Sequence, residues 1–553
     1  MDDFPDMQKI LKRFDVLAGV ETENSFAGWF ERVAFIFLIL MVLVAPHSIA
    51  ATQIAWLAGM LFWAIRLFVK PRPKLARTPL DLALWSFFVW SVITAVFSYA
   101  PDISIDKLRN VALFLIFYFV VNNVRNVRAV KFLAFALIFS CFVSAAWSPI
   151  ERAIGRGIQI SGVAAESILS KAKLTEADAI LKADGKKIKS PDDLMAEIES
   201  NESTDLEVFR SPIYFTVKVR RDDLLAGENS LEKLGISSWT RSRNWRYGGF
   251  YGHIITYAEV LQLIASLALG LLIACVGRQR DAEVRRRGDA ETKQENLSVE
   301  AKHTRSVFNS QRLGVSALFL FFCLVVMIFA LLTTFTRSAQ IAFLISAFSI
   351  AVVNAQRKIL FGLTAIILPV ALIGFFFMQQ SRKVGYYDKN DDSISYRQTV
   401  YREGFDLWTS SPRNFFFGVG MDSVKRFKQE WHLFDNGRLA TSHFHSTPLQ
   451  LLVERGLPAL LLWLWVLWIY ARMLLKVQSL EDGNSKFKIQ NSKSEDWQTK
   501  GIILGCFGGL IGFFVSSLVN YSLGDGEVAM VFFLLMGFAV SLIVQNTESD
   551  LTI

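Results

Sequence analysis

The chain has 553 residues, of which 52% are hydrophobic, and its mean hydropathy is +0.35. The apolar residues lie in uncharged blocks of roughly 18 residues or more, the length of a membrane-spanning helix, which excludes a soluble globular protein. The net charge of +9 comes largely from basic loops, so it reports membrane topology and gives no indication of a nucleic-acid partner.

The four cysteines do not predict a disulfide framework or a metal site. Cys141, Cys275, Cys323 and Cys506 all fall inside apolar runs and have no paired spacing, as expected of small buried hydrophobes. The N-terminal stretch is acidic and mixed, so it does not resemble a signal peptide, which begins with basic residues.

The hydropathy pattern predicts an all-α polytopic membrane protein with about twelve transmembrane helices and one small inserted α/β domain. The predicted spans are 32–48, 50–68, 79–98, 108–123, 130–149, 253–276, 313–334, 338–354, 358–378, 457–475, 500–520 and 527–545. Basic loops around Arg72, Arg125, Arg286 and Arg357 all fall inside when the N-terminus is inside, as the positive-inside rule expects. Both termini are therefore expected to be cytoplasmic.

This topology divides the chain into membrane and outer parts. The expected divisions are 1–149 (spans 1–5), 150–223 (a periplasmic insertion), 224–252 (an arginine- and aromatic-rich segment), 253–378 (spans 6–9), 379–447 (a large outer loop that carries the chemistry) and 448–553 (spans 10–12).

The insertion changes from a membrane pattern to a globular one. Asp184-Gly185 is a hairpin signal, and Ser190-Pro191 opens a helix with a capping residue and proline at its first position. Leu206–Arg210 and Tyr214–Val219 then alternate like the two strands of a β-hairpin. These signals predict a small α/β module.

The module resembles a PDZ domain of the bacterial periplasmic type. The resemblance rests on Leu174–Leu181, Asp184–Ile188 and Ser190–Leu194, and it departs at Ala177, where such domains usually have glycine before the aspartate. Gly155-Arg156-Gly157-Ile158 lies where that family keeps its carboxylate-binding loop, so the resemblance implies capture of a peptide C-terminus beside an open strand. A structural spacer that binds nothing is the alternative.

Several arginines lie at the predicted outer surface. Arg241, Arg243 and Arg246 alternate with aromatic residues, and an aromatic belt with snorkelling cations would explain much of that pattern. Arg337 lies in a very short turn between apolar helices, where a charge needs a partner, and Arg397 follows in the next outer loop. Guanidinium groups match phosphate oxygens, so these positions favour a lipid-linked phosphate substrate.

Two of the six histidines, His443 and His445, lie two residues apart where a polar loop reaches an apolar helix. An imidazole is suited to proton transfer near neutral pH, so a histidine at a membrane edge is a candidate general base. Solvated histidines without a role are the alternative.

Four segments together resemble the superfamily of O-antigen ligases and O-antigen polymerases, which are bacterial membrane glycosyltransferases. They are Arg246–His253, Leu332–Ala339, Ser395–Gly420 and His443–Leu457, in the order of that superfamily. Ser446 departs from the pattern because the family usually has asparagine after the second histidine, and the PDZ-like insertion is not part of the basic pattern.

The resemblance implies transfer of a glycan from an undecaprenyl-diphosphate donor to an acceptor on the periplasmic side of the bacterial inner (cytoplasmic) membrane, without a metal or another cofactor. His445 matches the position of the general base, with His443 as the other candidate, and Arg337 matches a diphosphate-binding position. Arg397 resembles the loop arginine of the family, and Arg246 or Arg241 the arginine before the middle span.

The acceptor stays open between lipid A-core, another glycan and a protein. Membrane lipid is an expected partner, and a peptide C-terminus is a further candidate partner through the PDZ-like module. A ligase, a polymerase of the same superfamily and a non-enzymatic transporter or receptor with a peptide-binding module are the alternative functions.

Overall fold

The computed structural model describes residues 5–20, 22–176, 178–210, 213–243, 245–292, 300–354, 392–439, 441–481 and 496–551. The helices are α1 Pro5–Ala18, α2 Ser25–Val44, α3 Ile49–Arg66, α4 Asp81–Val96, α5 Pro101–Asp106, α6 Leu108–Val111, α7 Leu115–Asn123, α8 Val127–Ile154, α9 Ile168–Lys171, α10 Pro191–Ser200, α11 Ser230–Leu234, α12 Ile254–Thr292, α13 Glu300–Thr333, α14 Arg337–Val353, α15 Asp392–Thr409, α16 Pro412–Phe417, α17 Ser423–Phe427, α18 Leu433–Asn436, α19 Thr447–Glu481, α20 Trp497–Ser517 and α21 Gly526–Leu551. The strands are β1 Ile158–Val163, β2 Ala179–Ala183, β3 Lys186–Lys187, β4 Ser203–Arg210, β5 Ile213–Arg220 and β6 Ile236–Arg241.

Within these described residues, eight helices are long and apolar enough to cross a membrane. The eight segments are Ser25–Val44, Ile49–Arg66, Val127–Ile154, Ile254–Arg280, Leu313–Thr333, Thr447–Val477, Trp497–Ser517 and Gly526–Gln545. Helices α4 and α14 are shorter apolar helices at two further predicted spans. The predicted span 108–123 is divided into α6, a 3₁₀ turn and α7, and the predicted span 358–378 lies outside the described residues. The helices support a polytopic membrane protein, and the total of about twelve spans stays a prediction.

Contacts sort the loops onto two ends of the helical bundle. At one end, the buried carboxylate of Glu31 pairs with Arg66 at 2.9 Å and with Arg125 at 3.1 Å. At the other end, Tyr99 N–H donates to the carbonyl of Val419 at 3.1 Å. Loops that the topology assigns to the same side of the membrane therefore contact each other.

The insertion forms an antiparallel sheet in the order β5-β4-β2-β1-β6, with β3 paired to β2. Asp184 and Gly185 both have positive φ in the turn between β2 and β3, and Ser190 caps α10 through a reciprocal hydrogen-bond pair with Asp193. The sheet has its own apolar core of Ile158, Ile160, Ile180, Leu194, Ile198, Leu206 and Val208 together with further buried side chains. Strand β6 extends the sheet beyond residue 223, so part of the segment 224–252 belongs to the same sheet. The PDZ-like assignment itself stays a prediction.

Candidate active site

The loop before α19 holds both predicted histidines. Phe444 between them is fully buried against Phe434, with ring centroids 5.4 Å apart, and its N–H donates to Gln450 Oε1 at 2.8 Å. With Phe444 held in this way, the rings of His443 and His445 lie 4.0 Å apart. His445 has a φ of +47°, a left-handed conformation that costs free energy in a residue other than glycine.

Hydroxyl groups of the large outer loop, residues 379–447, contact His445. Its Nε2 lies 3.0 Å from Tyr396 Oη and 3.4 Å from Thr441 Oγ1, while the Tyr401 hydroxyl donates to its carbonyl at 3.0 Å. Burial, the adjacent His443 and the positive charge of Arg397 lower the pKa of His445 to about 3. The imidazole is therefore neutral at neutral pH and can accept a proton.

His443 lines a cavity with Lys107, Lys425 and Tyr521. Its Nδ1 accepts the N–H of His445 at 3.3 Å, so a neutral His443 carries its proton on Nε2. Burial and the positive charge of Lys425 lower the pKa of His443. Both histidines are thus kept neutral, but only His443 has its tautomer assigned by a backbone contact.

Asp422 sets the charge of this cavity. Its carboxylate pairs with Lys107 at 2.9 Å and with Lys425 at 2.8 Å, so two ammonium groups share one carboxylate. Although burial opposes the shift, these lysines lower the pKa of Asp422. The N–H of Asp422 donates to Glu454 Oε1 at 2.8 Å, and Glu454 also accepts Gln450 Nε2 at 2.9 Å. A continuous chain of hydrogen bonds therefore runs from the histidine loop to the lysine pair.

The third and fourth sequence motifs are joined by their backbones. Val419 N–H donates to the carbonyl of Val453 at 2.8 Å, and Gly420 N–H donates to the carbonyl of Glu454 at 2.9 Å. Helix α19 is interrupted at Gly456, where φ is 73° and ψ is 178°. A Cβ atom at Gly456 would lie 2.1 Å from the carbonyl oxygen of Phe416, so only glycine fits this crossing.

The first and second motifs are joined by Arg246. Its Nε donates to the carbonyl of Thr334 at 2.9 Å, and its Nη2 donates to Thr336 Oγ1 at 3.3 Å. Burial lowers the pKa of Arg246, yet a guanidinium stays charged at neutral pH. Arg337 directly follows Thr336 and is the first residue of α14. Two arginines predicted to bind diphosphate therefore meet at one short turn.

Asn520 connects that turn to the histidine loop. Its side-chain amide donates to Ser338 Oγ at 2.9 Å and to the buried carboxylate of Glu259 at 2.7 Å. Its carbonyl accepts the N–H of Thr447, two residues after His445, at 3.0 Å. All four motifs are consequently assembled at one end of the bundle.

The remaining predicted positions lie on the insertion. Arg241 is exposed on β6, where its backbone pairs with Ile158, and it is Arg246 that reaches the turn before Arg337. The Gly155 N–H donates to the carbonyl of Glu151 at 2.9 Å, which is a contact within the end of α8.

The strand beside the predicted carboxylate-binding loop, Gly155-Arg156-Gly157-Ile158, is not open in the structure. Arg156 N–H donates to the carbonyl of Ser242 at 2.8 Å, and β1 lies between β2 and β6 in the sheet. Because β6 covers the second edge of β1, a peptide could add there only by displacing β6.

Sequence reasoning did not find the loop between α20 and α21. Besides Asn520, Tyr521 lines the cavity, and Asp525 accepts a hydrogen bond from Thr256 Oγ1, which also contacts His253 Nδ1. This loop is a short polar stretch between two apolar helices, the same signal that singled out Arg337. The contact of the Tyr396 hydroxyl with His445 joins residues that are far apart in the chain, so no local sequence pattern indicates it.

Residues 322–464 match the family model described as O-antigen ligase. The match covers about a quarter of the chain and includes Arg337, Arg397, His443 and His445, while the insertion lies outside it. It supports the O-antigen ligase superfamily and a transferase activity for this multi-pass membrane protein. No curated protein matches the chain.

Among the described residues, no three His, Cys, Asp or Glu side chains are grouped as ligands for a metal ion.

Proposed function

We propose that the chain is a glycosyltransferase of the O-antigen ligase type, which moves a glycan from an undecaprenyl-diphosphate donor to an acceptor at the periplasmic face of the bacterial inner membrane. The observation that carries this proposal is the assembly of the four motifs at one end of the bundle. There the histidine loop is connected through Asn520 to the turn that Arg246 and Arg337 share. The match to O-antigen ligase, residues 322–464, covers three of the four motifs and leaves out Arg246–His253.

The reaction needs a base for the acceptor and cations for the leaving group. The acceptor hydroxyl oxygen forms a bond to the anomeric carbon while the bond from that carbon to the diphosphate oxygen breaks. The hydroxyl proton passes to an imidazole, and the diphosphate leaves with the bonding electron pair. A positioned base contributes roughly 10²–10⁴-fold to the rate, and guanidinium groups stabilise the charge that grows on the diphosphate.

His445 is the better candidate for the base. A neutral His443 carries its proton on Nε2, because its Nδ1 accepts a backbone N–H, so its other nitrogen is a donor. The positive charge of Arg397 lowers the pKa of His445. A diphosphate bound beside Arg397 would offset that charge and raise the pKa of His445, making it a stronger base when the donor is present.

The proposed site requires no metal, since Arg337, Arg397 and Arg246 would neutralise the diphosphate. A ligase and a polymerase share this donor chemistry, and lipid A-core, another glycan and a protein are the acceptors to be compared. The transporter or receptor alternative would be favoured if no donor of this class gave transfer to any acceptor.

The proposal is tested in membranes that are supplied with an undecaprenyl-diphosphate glycan and an acceptor, with protein abundance measured in parallel. His445→Ala and Arg337→Ala should each reduce transfer by about a hundredfold or more. The matched controls are His432→Ala and Arg402→Gln, because both side chains are exposed in the same outer segment. Their transfer should stay within about twofold of the wild type. Undiminished transfer in His445→Ala would remove His445 as the base.

A further inference from the structure

The segment between β6 and α12 is attached to the insertion at Trp245. This side chain is fully buried in a small apolar cluster with Ala179, Leu181 and Phe209. These partners lie on β2 and β4 and alternate with Ile180 and Val208, which face the main core of the insertion. Trp245 therefore packs on the second face of the sheet. Because it directly precedes Arg246, its burial holds the backbone at that point.

A single hydroxyl of the sheet holds the backbone of Arg246. Tyr214 on β5 accepts the Arg246 N–H at 3.2 Å and donates to the Arg246 carbonyl at 3.1 Å. Burial raises the pKa of Tyr214, so the hydroxyl keeps the proton that it donates. Both backbone groups of the arginine are thus satisfied by one side chain of the insertion.

The membrane domain holds the same segment from the other side. Arg152, near the end of α8, donates to the carbonyl of Trp245 at 2.7 Å and to that of Arg243 at 3.1 Å. Its guanidinium carbon lies 5.7 Å from the ring centroid of Trp245 and 6.0 Å from that of Phe335, in the turn before Arg337. Cations at such distances from aromatic faces are stabilised by them.

We propose that the insertion positions the donor site, with Tyr214 and Trp245 setting the backbone from which the Arg246 guanidinium reaches the Thr334–Thr336 turn. This inference rests on the proposed function, in which Arg246 helps to bind the diphosphate. Tyr214 and Trp245 are positioning residues, because they act through Arg246 and not on the substrate. In this arrangement the insertion contributes to transfer without binding a peptide.

The first test is Tyr214→Phe, which removes the hydroxyl and keeps the ring. Its loss should raise the KM for the undecaprenyl-diphosphate donor by roughly three- to tenfold, the effect of one or two misplaced hydrogen bonds. The matched control is Thr216→Val, which removes an exposed hydroxyl two residues along the same strand. That variant should have the kinetics of the wild type.

A double-mutant cycle with Arg246→Gln separates this inference from the function on which it rests. If Tyr214 acts through Arg246, Tyr214→Phe should have no further effect in the Arg246→Gln background. The inference would be overturned if the effects of the two changes multiplied, or if Tyr214→Phe had the wild-type KM. A defect in Arg246→Gln would in that case still support Arg246 as part of the proposed donor site. Normal transfer in Arg246→Gln would instead remove Arg246 from the proposed donor site and overturn both.

Trp245→Phe provides a second variant in case Tyr214→Phe lowers the melting temperature. The smaller ring should loosen the same segment and raise the donor KM in the same direction. An unchanged donor KM in Tyr214→Phe would refute the role of the hydroxyl, and an unchanged donor KM in Trp245→Phe would refute that of the indole.

Discussion

The pH dependence of transfer tests the histidine assignment most directly. Burial, His443 and Arg397 hold the pKa of His445 at about 3. At pH 5.5 an ordinary histidine with a pKa of about 6.5 would be roughly 90% protonated, whereas His445 would be protonated in well under about 1% of molecules. The value of kcat/KM for the donor reports the free enzyme, so it should fall by less than about twofold between pH 7.5 and 5.5. An ordinary histidine would give about a tenfold fall.

The assay measures initial transfer rates at sub-saturating donor, with thermal unfolding followed at each pH. Because the native pKa of His445 lies below its unfolded value, the stability it contributes is present above about pH 6.5 and is lost as the pH falls towards 3. Rates are therefore compared only where the protein stays folded. Replacing Arg397 by glutamine removes a positive charge, so the acid limb of the profile should move to higher pH.

A tenfold fall in kcat/KM with a midpoint near pH 6.5, in protein that is still folded, would refute this reasoning. At saturating donor the acid limb of kcat should lie at higher pH than that of kcat/KM, since the bound diphosphate raises the pKa of the base. Coincident limbs would mean that the donor charge does not reach His445.

Three further variants test the supports of the site. Tyr396→Phe removes a 3.0 Å contact with His445 and should lower kcat by about three- to tenfold; an unchanged kcat would show that this hydroxyl does not orient the ring. Asn520→Ala deprives the buried Glu259 of a 2.7 Å donor and should lower the free energy of unfolding by about 1.5–3 kcal/mol, measured by denaturation in detergent. Gly456→Ala would place a Cβ 2.1 Å from the carbonyl oxygen of Phe416, so the amount of folded protein in membranes should fall steeply. A normal amount would contradict this close contact between Gly456 and Phe416.

The long apolar helices are predicted well by local hydropathy, because such a helix is defined by its own residues. Eight predicted spans coincide with long apolar helices, and α4 and α14 lie at two more. The pairing of β6 with β1 could not be predicted in the same way, since Ile236 and Val163 are far apart in the chain and pair only in the folded sheet. The expected boundary at residue 223 accordingly stops short of the last strand.

The motifs predicted which segments meet, but not what connects them. Arg337 and His445 are informative in the sequence because charged and titratable residues are unusual beside apolar helices. Asn520 lies in a similar turn but is uncharged, and its role depends on the simultaneous contacts with Ser338 and Glu259. Glu259, a carboxylate inside an apolar span, was the local signal that could have led to it.

The two ends of the insertion lie side by side, because the Arg156 N–H contacts the carbonyl of Ser242. Adjacent ends allow a domain to be added to a host protein or removed from it without disturbing the host scaffold. A short linker between residues 155 and 242 would therefore restore chain continuity from α8 to α12. Such a minimal chain would lack the hydroxyl of Tyr214, so the host would have to hold the arginine segment by other means. Modularity of the backbone and dependence of the site on the module are thus separate properties of this protein.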